Sequence, residues 1–421
     1  MGKNSSIRAL RGMRDIMPHE AGAWQDIEDA ARKVFQRFRY REARTPLLEE
    51  TGLFMRSIGE DTDIVQKEMF SFEDRGGRQV SLRPEGTAPV VRAYLEANLD
   101  STEPFQKLYY IGPMFRAERP QAGRSRQFHQ IGVEAIGSSD PAIDAEVISL
   151  LTALLDSVGV KGYVIHLNNL GCAEDKARLS EQLKVSFAKE KKLLCEDCQA
   201  RLSRNALRVL DCKKESCRTI ARGIFKETQF LCADCQGHFE RTKQCLESIG
   251  VDYQVNPYIV RGLDYYTRTV FEVIHKDLGS QDAIGAGGRY DNLIADLGGP
   301  SLGACGFALG IERMLMALGV RSPEGKASSA VSVYVATVGD EAHKKGFEVT
   351  AGLRRAGVPC DMDYEGKSLK AQMRQADRLG SKFVVILGED ELAKGEAQVR
   401  DMATKEQKVV AFSELARILK G

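Results

Sequence analysis

The stretch QFHQIGVEAIG, residues 127–137, sorts its side chains into two unlike rows if it is extended. Successive residues of a strand point to opposite faces. Phe128, Gln130, Gly132 and Glu134 then share one face, while His129, Ile131, Val133 and Ala135 share the other. The second row is mainly apolar and suits a core. The first sets an aromatic plate, an amide, a bare glycine and a carboxylate in line, which makes a poor core and a workable floor for a small polar molecule. A solvated face with an ion pair is the plainer alternative, but it needs neither the glycine nor the ring. By the same rule Met114, Arg116 and Glu118 share a face on the preceding segment.

Further groups with chemical potential surround these rows. The joining loop holds Arg119, Arg124 and Arg126, and guanidinium forks match phosphate and carboxylate geometry. Taken alone, such a loop reads better as a mobile charged turn. In LRPEGTAPVVRAY, Glu85 and Thr87 flank a glycine ahead of a helical run, as an ammonium receptor or a helix cap. GACGFALGIERMLMAL runs a glycine-bearing strand into a helix with Arg313 near its start, where backbone amides favour an anion. RGLDYYTRTVFEV crowds Arg261, Asp264, Tyr265 and Tyr266 before an ordinary strand. No Gly-x-Gly-x-x-Gly string marks a dinucleotide site. The Gly366–Ser368 string fails as a P-loop because Asp361 stands where the leading glycine is required. Use of ATP therefore needs another architecture.

Most of the ten cysteines fall between residues 172 and 252. CEDC (Cys195, Cys198) and CADC (Cys232, Cys235) can together supply four thiolates to a structural zinc, with Cys212 and Cys217 between them. Buried or incidental thiols remain the alternative, because the 33 residues separating the pairs exceed the common ribbon spacing.

The elements that must hold these groups follow from periodicity. A helical pattern runs from Ala21 to Tyr40, Pro46 favours an extended segment, and residues 68–87 read as a hairpin turning at Gly76–Gly77. Two longer strands flank the basic loop, with a helix near 142–158, and residues 172–252 read as a mainly helical insertion. SPEGKASSA is a linker by composition, and a βαβαβ alternation with a mostly parallel sheet follows it. Length suggests roughly three domains of ordinary size. Lys and Arg (60) almost cancel Asp and Glu (59), which argues against a chain that coats nucleic acid but permits a local basic groove. No apolar run approaches the ~18 residues of a membrane span, and the thiols fit a reduced, cytoplasmic setting.

Taken in order, these stretches resemble the three signature motifs of class II aminoacyl-tRNA synthetases. RTPLLEETGLF is similar to motif 1, FRAERPQAGRSRQFHQIGVE to motif 2 and GFALGIERM to motif 3. RPEGT, RGLDYYTRTVFEV and GAGGRYDNL are similar to strings peculiar to the histidyl-tRNA synthetase family. The resemblance implies an α+β fold. Residues 1–325 would form the class II catalytic domain, an antiparallel sheet flanked by helices with the insertion at about 172–252, and residues 326–421 an α/β anticodon-binding domain. It also implies ATP-dependent attachment of L-histidine to tRNA(His) through histidyl-adenylate, with Mg2+, in a homodimer joined through motif 1.

The implied roles go residue by residue. Arg116, Arg261 and Arg313 are the catalytic set. Arg116 would hold the α-phosphate and Arg124 the outer phosphates, while Phe128 and Arg313 sandwich the adenine beside Glu118. Glu85, Gly86, Thr87 and Gln130 would receive the histidine ammonium, and Arg261 its carboxylate and the α-phosphate. Glu134, Tyr265 and Tyr266 would line the imidazole pocket, and Arg119 and Gln121 would face the tRNA acceptor end. Two rivals share parts of the pattern. A synthetase-like regulatory subunit of ATP phosphoribosyltransferase should lack these arginines and usually the last domain. A class II synthetase for proline, threonine or glycine should lack RGLDYY.

Overall fold

The computed structural model describes residues 7–60, 62–121, 123–204, 206–210, 212, 214–226, 230–281, 283–319 and 331–420. The described residues form two compact units, one within Met1–Asp15 and Ala23–Arg321 and the other within Ile16–Gly22 and Ser322–Gly421. The linker expected at 322–330, with the boundary between 325 and 326, lies outside the described residues.

Helix α1 (Pro18–Arg37) buries Trp24, Ile27, Ala31, Val34 and Phe35 at helical spacing. After β1 (Arg41–Glu42), the extended segment predicted beyond Pro46 is only β2 (Leu48–Glu50), and α2 (Thr51–Ile58) follows at once. The expected hairpin is β3 (Phe70–Glu73) and β4 (Gln79–Leu82), and its turn is tied by Asp74, which accepts the N–H groups of Gly76 at 2.8 Å and Arg78 at 2.9 Å. Next come α3 (Thr87–Glu96), α4 (Leu99–Thr102), the long strands β5 (Gln106–Phe115) and β6 (Gln127–Ile136), α5 (Pro141–Ser157) and β7 (Tyr163–Asn169).

The insertion is helical as expected, with α6 (Ala173–Glu190), α7 (Glu196–Arg204), α8 (Glu215–Lys226) and α9 (Ala233–Ser248). Then β8 (Gln254–Val255), β9 (Thr267–His275), β10 (Ala283–Arg289), α10 (Leu293–Asp296), β11 (Ala304–Gly310) and α11 (Ile311–Ala317) complete the unit. Its main sheet runs β1-β5-β6-β11-β10-β9-β7-β8 and is antiparallel except for the edge pairs β1–β5 and β7–β8. Of the residues that drew attention in the sequence, Phe128, Gln130, Gly132 and Glu134 lie on β6; the others sit at the start of α3, on the β5–β6 loop, just before β9 and on α11.

In the second unit β12 (Val333–Thr337), α12 (Asp340–Arg355), β13 (Cys360–Met362), α13 (Leu369–Arg378) and β14 (Phe383–Leu387) form the expected alternation, with strand order β13-β12-β14 and parallel pairing. The sequence reading stopped there. After α14 (Glu389–Lys394), strands β15 (Glu396–Asp401) and β16 (Gln407–Ala411) extend the sheet antiparallel, and α15 (Leu415–Leu419) closes the chain. Only Ala397, Val399 and Val410 of that hairpin are buried, so its mostly polar sequence carries a weak strand signal.

Candidate active site

Strand β6 divides its residues as alternation requires. Ile131, Val133 and Ala135 are fully buried on one face, and on that side His129 meets Trp24 edge-on at 4.9 Å and Glu312 at 3.1 Å. On the other face, Glu134 is 1% exposed and accepts a hydrogen bond from Thr87 Oγ1 at 2.7 Å. The hydroxyl of Tyr290 donates to its second oxygen. Burial raises the Glu134 carboxyl to about 8, against the two hydroxyl donors that favour the ion. Room for this side chain comes from β11, where a Cβ on Gly306 would stand 2.1 Å from Glu134 Oε2.

Gly132 has a different use from the bare pocket floor expected of it. Tyr110, its cross-strand partner on β5, lays its ring over it, and a Cβ there would lie 2.3 Å from that ring. A Cβ on Gly86 would collide with the same ring at 2.3 Å. Two glycines distant in sequence thus seat one tyrosine. Its hydroxyl and Gln130 Oε1 are buried with no hydrogen-bond partner among the described residues. Buried polar atoms without partners are costly, so such a pair marks a place where a polar ligand completes the bonding.

Glu85 sits beside them at 3% exposure and accepts the N–H groups of Thr87 at 2.6 Å and Ala88 at 2.8 Å. It, rather than Thr87, satisfies the first turn of α3, and Thr87 is free to turn its hydroxyl to Glu134. A carboxylate has about four acceptor positions, so Glu85 keeps capacity for an ammonium group. Tyr265 and Tyr266 close the far wall with ring centroids 4.7 Å apart, and Tyr290 meets Tyr265 at 5.7 Å. Burial pushes the Tyr266 hydroxyl up to about 12, which keeps it a donor at neutral pH.

The segment before β9 is held from three sides. Asp264 N–H donates to Ile58 O at 3.1 Å, and its carboxylate fills the space a Cβ on Gly59 would take, 2.5 Å away. Lys176 of α6 donates to the carbonyls of Asp264 at 2.7 Å and Tyr266 at 2.9 Å. Asp264, for which the sequence suggested no chemistry, is thus part of a brace. Arg261 pairs with Glu272 at 2.9 Å, and its guanidinium lies 5.9 Å from the Tyr266 ring centroid.

A second region gathers positive charge. Arg313 donates to the carbonyls of Gly123 and Ala283, and burial, then the charges of Arg124 and Arg116, press its pKa down. A guanidinium stays charged through such a shift, and three in mutual repulsion make a receptor for polyphosphate. Arg116 lies over Phe128 at 5.3 Å and donates to Pro84 O at 3.0 Å, while Arg124 pairs with Glu118. Phe128 is therefore covered by Arg116 here, with no described contact to Arg313. Arg119 and Gln121 stand exposed on the loop, which is pinned part-way along by paired Gln121–Arg124 backbone bonds at 3.1 and 2.9 Å.

Sequence reasoning missed Tyr290 and Tyr110. Tyr290 ends GAGGRY, and its neighbour Arg289 offered the signal of a charge inside a glycine-rich strand. Arg289 is fully buried and grips Asp144 at 2.7 Å, while His238 meets the other Asp144 oxygen at 2.7 Å. Arg268 lies 3.3 Å from the remaining His238 nitrogen, so a neutral ring protonated at Nε2 satisfies both partners. This network ties α5, β10 and α9 together behind Tyr290.

Comparison with known proteins decides the family. The model described as "Histidyl-tRNA synthetase" matches residues 12–314, and that described as "Anticodon binding domain" matches residues 332–421. The chain belongs to the histidyl-tRNA synthetase family. It is 48% identical to the histidine–tRNA ligase of Halothermothrix orenii, over 97% of this chain and 98% of that protein. It is 47% identical to that of Geobacter metallireducens, over 97% of this chain and 98% of the relative. The crystal structure of apo Staphylococcus aureus histidyl-tRNA synthetase superposes with a TM-score of 0.81 at 35% identity, covering 99% of this chain and 100% of that one. A Bacillus halodurans structure titled as an ATP phosphoribosyltransferase regulatory subunit/histidyl-tRNA synthetase shares the fold, with a TM-score of 0.66 at 22% identity over 92% of this chain and 99% of that one. Members of the family use ATP and histidine to charge tRNA(His) through an aminoacyl-adenylate, and this chain is such a histidine–tRNA ligase. No helix among the described residues is long and apolar enough to cross a membrane.

Proposed function

We propose that histidine is activated in the chamber between β6, α3 and the Tyr265–Tyr266 wall. The observation that carries this reading is the set Glu134, Thr87, Tyr290, Tyr110 and Gln130, in which two buried polar atoms lack partners among the described residues. Glu134 takes the imidazole N–H and a tyrosine hydroxyl serves the other ring nitrogen. A pocket pairing both nitrogens rejects analogues by ~10⁴-fold or more, because an impostor leaves buried groups unsatisfied. Glu85, Gly86, Thr87 and Gln130 receive the ammonium, and Arg261 the carboxylate.

ATP lies across the arginine cluster, with Arg116 on the α-phosphate, Arg124 on the outer phosphates, and Glu118, Phe128 and Arg313 around the base. Magnesium arrives with ATP and shares the task of neutralising its phosphates. A carboxylate oxygen of histidine attacks the α-phosphorus, the bond to the β-phosphate oxygen breaks, and pyrophosphate leaves. Preorganised cations stabilise the charge on the equatorial oxygens, and the main remaining requirement is alignment. The terminal ribose of tRNA then attacks the carbonyl carbon, AMP leaves, and Arg119 and Gln121 steer that end of the RNA.

Residues 326–421 serve the anticodon stem. Lys370, Arg374, Arg378, Arg400 and Lys405, with only Asp377 opposing, line an open groove of about 930 Å3 in that unit, which fits a phosphate backbone. Exposed Leu47, Leu48, Met55 and Phe72, on or beside β2, α2 and β3, support a homodimer through that face. Pyrophosphate exchange into ATP with each of the twenty amino acids tests the adenylation reading. Exchange with histidine alone is expected, and exchange with another amino acid would sink the pocket assignment.

A further inference from the structure

The fold regroups the cysteines of the insertion. The two CxxC pairs do not meet. Cys195 and Cys198 converge instead with Cys212 and Cys217, and the four sulfurs all lie within 4.8 Å of one another. Cys232 and Cys235 join Cys172 and Asp175 in a separate group. The expectation that both pairs share one ion is thereby corrected: each pair finds its partners elsewhere, in Cys212 and Cys217 for the first and in Cys172 and Asp175 for the second.

We propose that Cys195, Cys198, Cys212 and Cys217 bind one structural zinc ion that closes the core of the insertion. A tetrahedral ion with Zn–S bonds of ~2.3 Å holds its sulfurs about 3.8 Å apart. Cys195 Sγ and Cys212 Sγ are 3.9 Å apart. All four thiols are free, and three of them are buried. Soft thiolates without a carboxylate or imidazole select zinc over magnesium or calcium.

The surrounding backbone is arranged for thiolates. Cys195 immediately precedes α7 and Cys217 lies in the first turn of α8, where amide groups point outward. Cys195 N–H donates to Cys217 Sγ at 3.2 Å, and Lys214 N–H to Cys212 Sγ at 3.4 Å. Such donors stabilise charged sulfur, as they would around an ion carrying four thiolates.

The local fold also has need of a staple. Helices of nine and twelve residues are too short to persist alone. Their apolar core is small and is centred on Leu179, Leu183, Phe187, Leu202 and Phe225, with Cys198, Cys212 and Cys217 built into it. A core of this size commonly requires a metal or cross-link. The second group is different. Both oxygens of Asp175 accept the Cys232 N–H at 3.1 Å and one also pairs with Arg178, so its carboxylate already closes helix ends.

The test counts zinc by mass spectrometry in purified full-length protein, alongside Cys195→Ser/Cys198→Ser and Cys232→Ser/Cys235→Ser variants. The expected result is about one zinc per chain in the wild type, loss of it in the first variant and retention in the second. A metal-free wild type overturns the proposal, and so does zinc that leaves only with the second pair. If the first variant fails to fold, cobalt-loaded wild type decides. The intense visible bands of tetrahedral cobalt tetrathiolate support the site, and a spectrum of oxygen-ligated cobalt overturns it.

Discussion

Replacing Glu134 with glutamine separates the two jobs assigned to its carboxyl. In the free enzyme the group is 1% exposed and burial raises it to about 8, against 4.5 for an ordinary glutamate. The folded state therefore holds a proton that the unfolded chain releases between about pH 4.5 and 8. With more protons bound to the native form, stability falls as pH rises through that window, by at most ~1.4 kcal/mol per unit from this group. For a domain of this size that is about 2–3 °C per unit. Glutamine has no proton to lose, so the Glu134→Gln variant should melt progressively higher than wild type as pH rises from 5 to 8. Histidine should bind it worse, because a charge-assisted bond to the imidazole worth ~1.5–3 kcal/mol is lost. That corresponds to an increase of roughly 10- to 150-fold in KM for histidine in pyrophosphate exchange. Thermal scans of the free proteins across pH measure the first effect, and exchange kinetics the second. Parallel melting curves would show that Glu134 is ionised throughout, and an unchanged KM would remove it from the imidazole pocket.

Other perturbations test the surroundings. Tyr290→Phe deletes one of the two hydroxyls bound to Glu134 and should raise KM for histidine by about tenfold or less, the worth of one hydrogen bond. Gly132→Ala drives a methyl into the Tyr110 ring, 2.3 Å from the new carbon, and should cost ~1–3 kcal/mol in thermal or denaturant unfolding. Asp144→Asn leaves the fully buried Arg289 with Asp291 as its one remaining carboxylate partner and should destabilise the protein by less than the ~3–5 kcal/mol of a fully broken buried pair, read as a fall in the urea midpoint. Arg261→Lys exchanges a planar fork for a point charge, so kcat for exchange should fall ~10²-fold with little change in melting temperature.

The sequence carried the catalytic sheet well because its signals are local. Alternation in QFHQIGVEAIG sorted Ile131, Val133 and Ala135 into the core and Glu134 into the chamber with no knowledge of neighbouring strands. The hairpin turn at Gly76–Gly77 and the helical insertion were legible for the same reason. Where apolar alternation thinned, as in the polar hairpin of β15 and β16, the reading stopped short.

The family was legible because the short motifs, taken in order, resemble those of class II synthetases and of the histidyl-tRNA synthetase family. Tertiary structure alone decided which distant residues meet. Gly86 and Gly132 share one tyrosine ring, Tyr290 rather than Tyr265 or Tyr266 bonds Glu134, and CEDC pairs with Cys212 and Cys217 instead of CADC. Backbone periodicity fixes the face a side chain takes within its own element. The partner it finds there depends on strand order and helix packing, which arise from burial summed over the whole core.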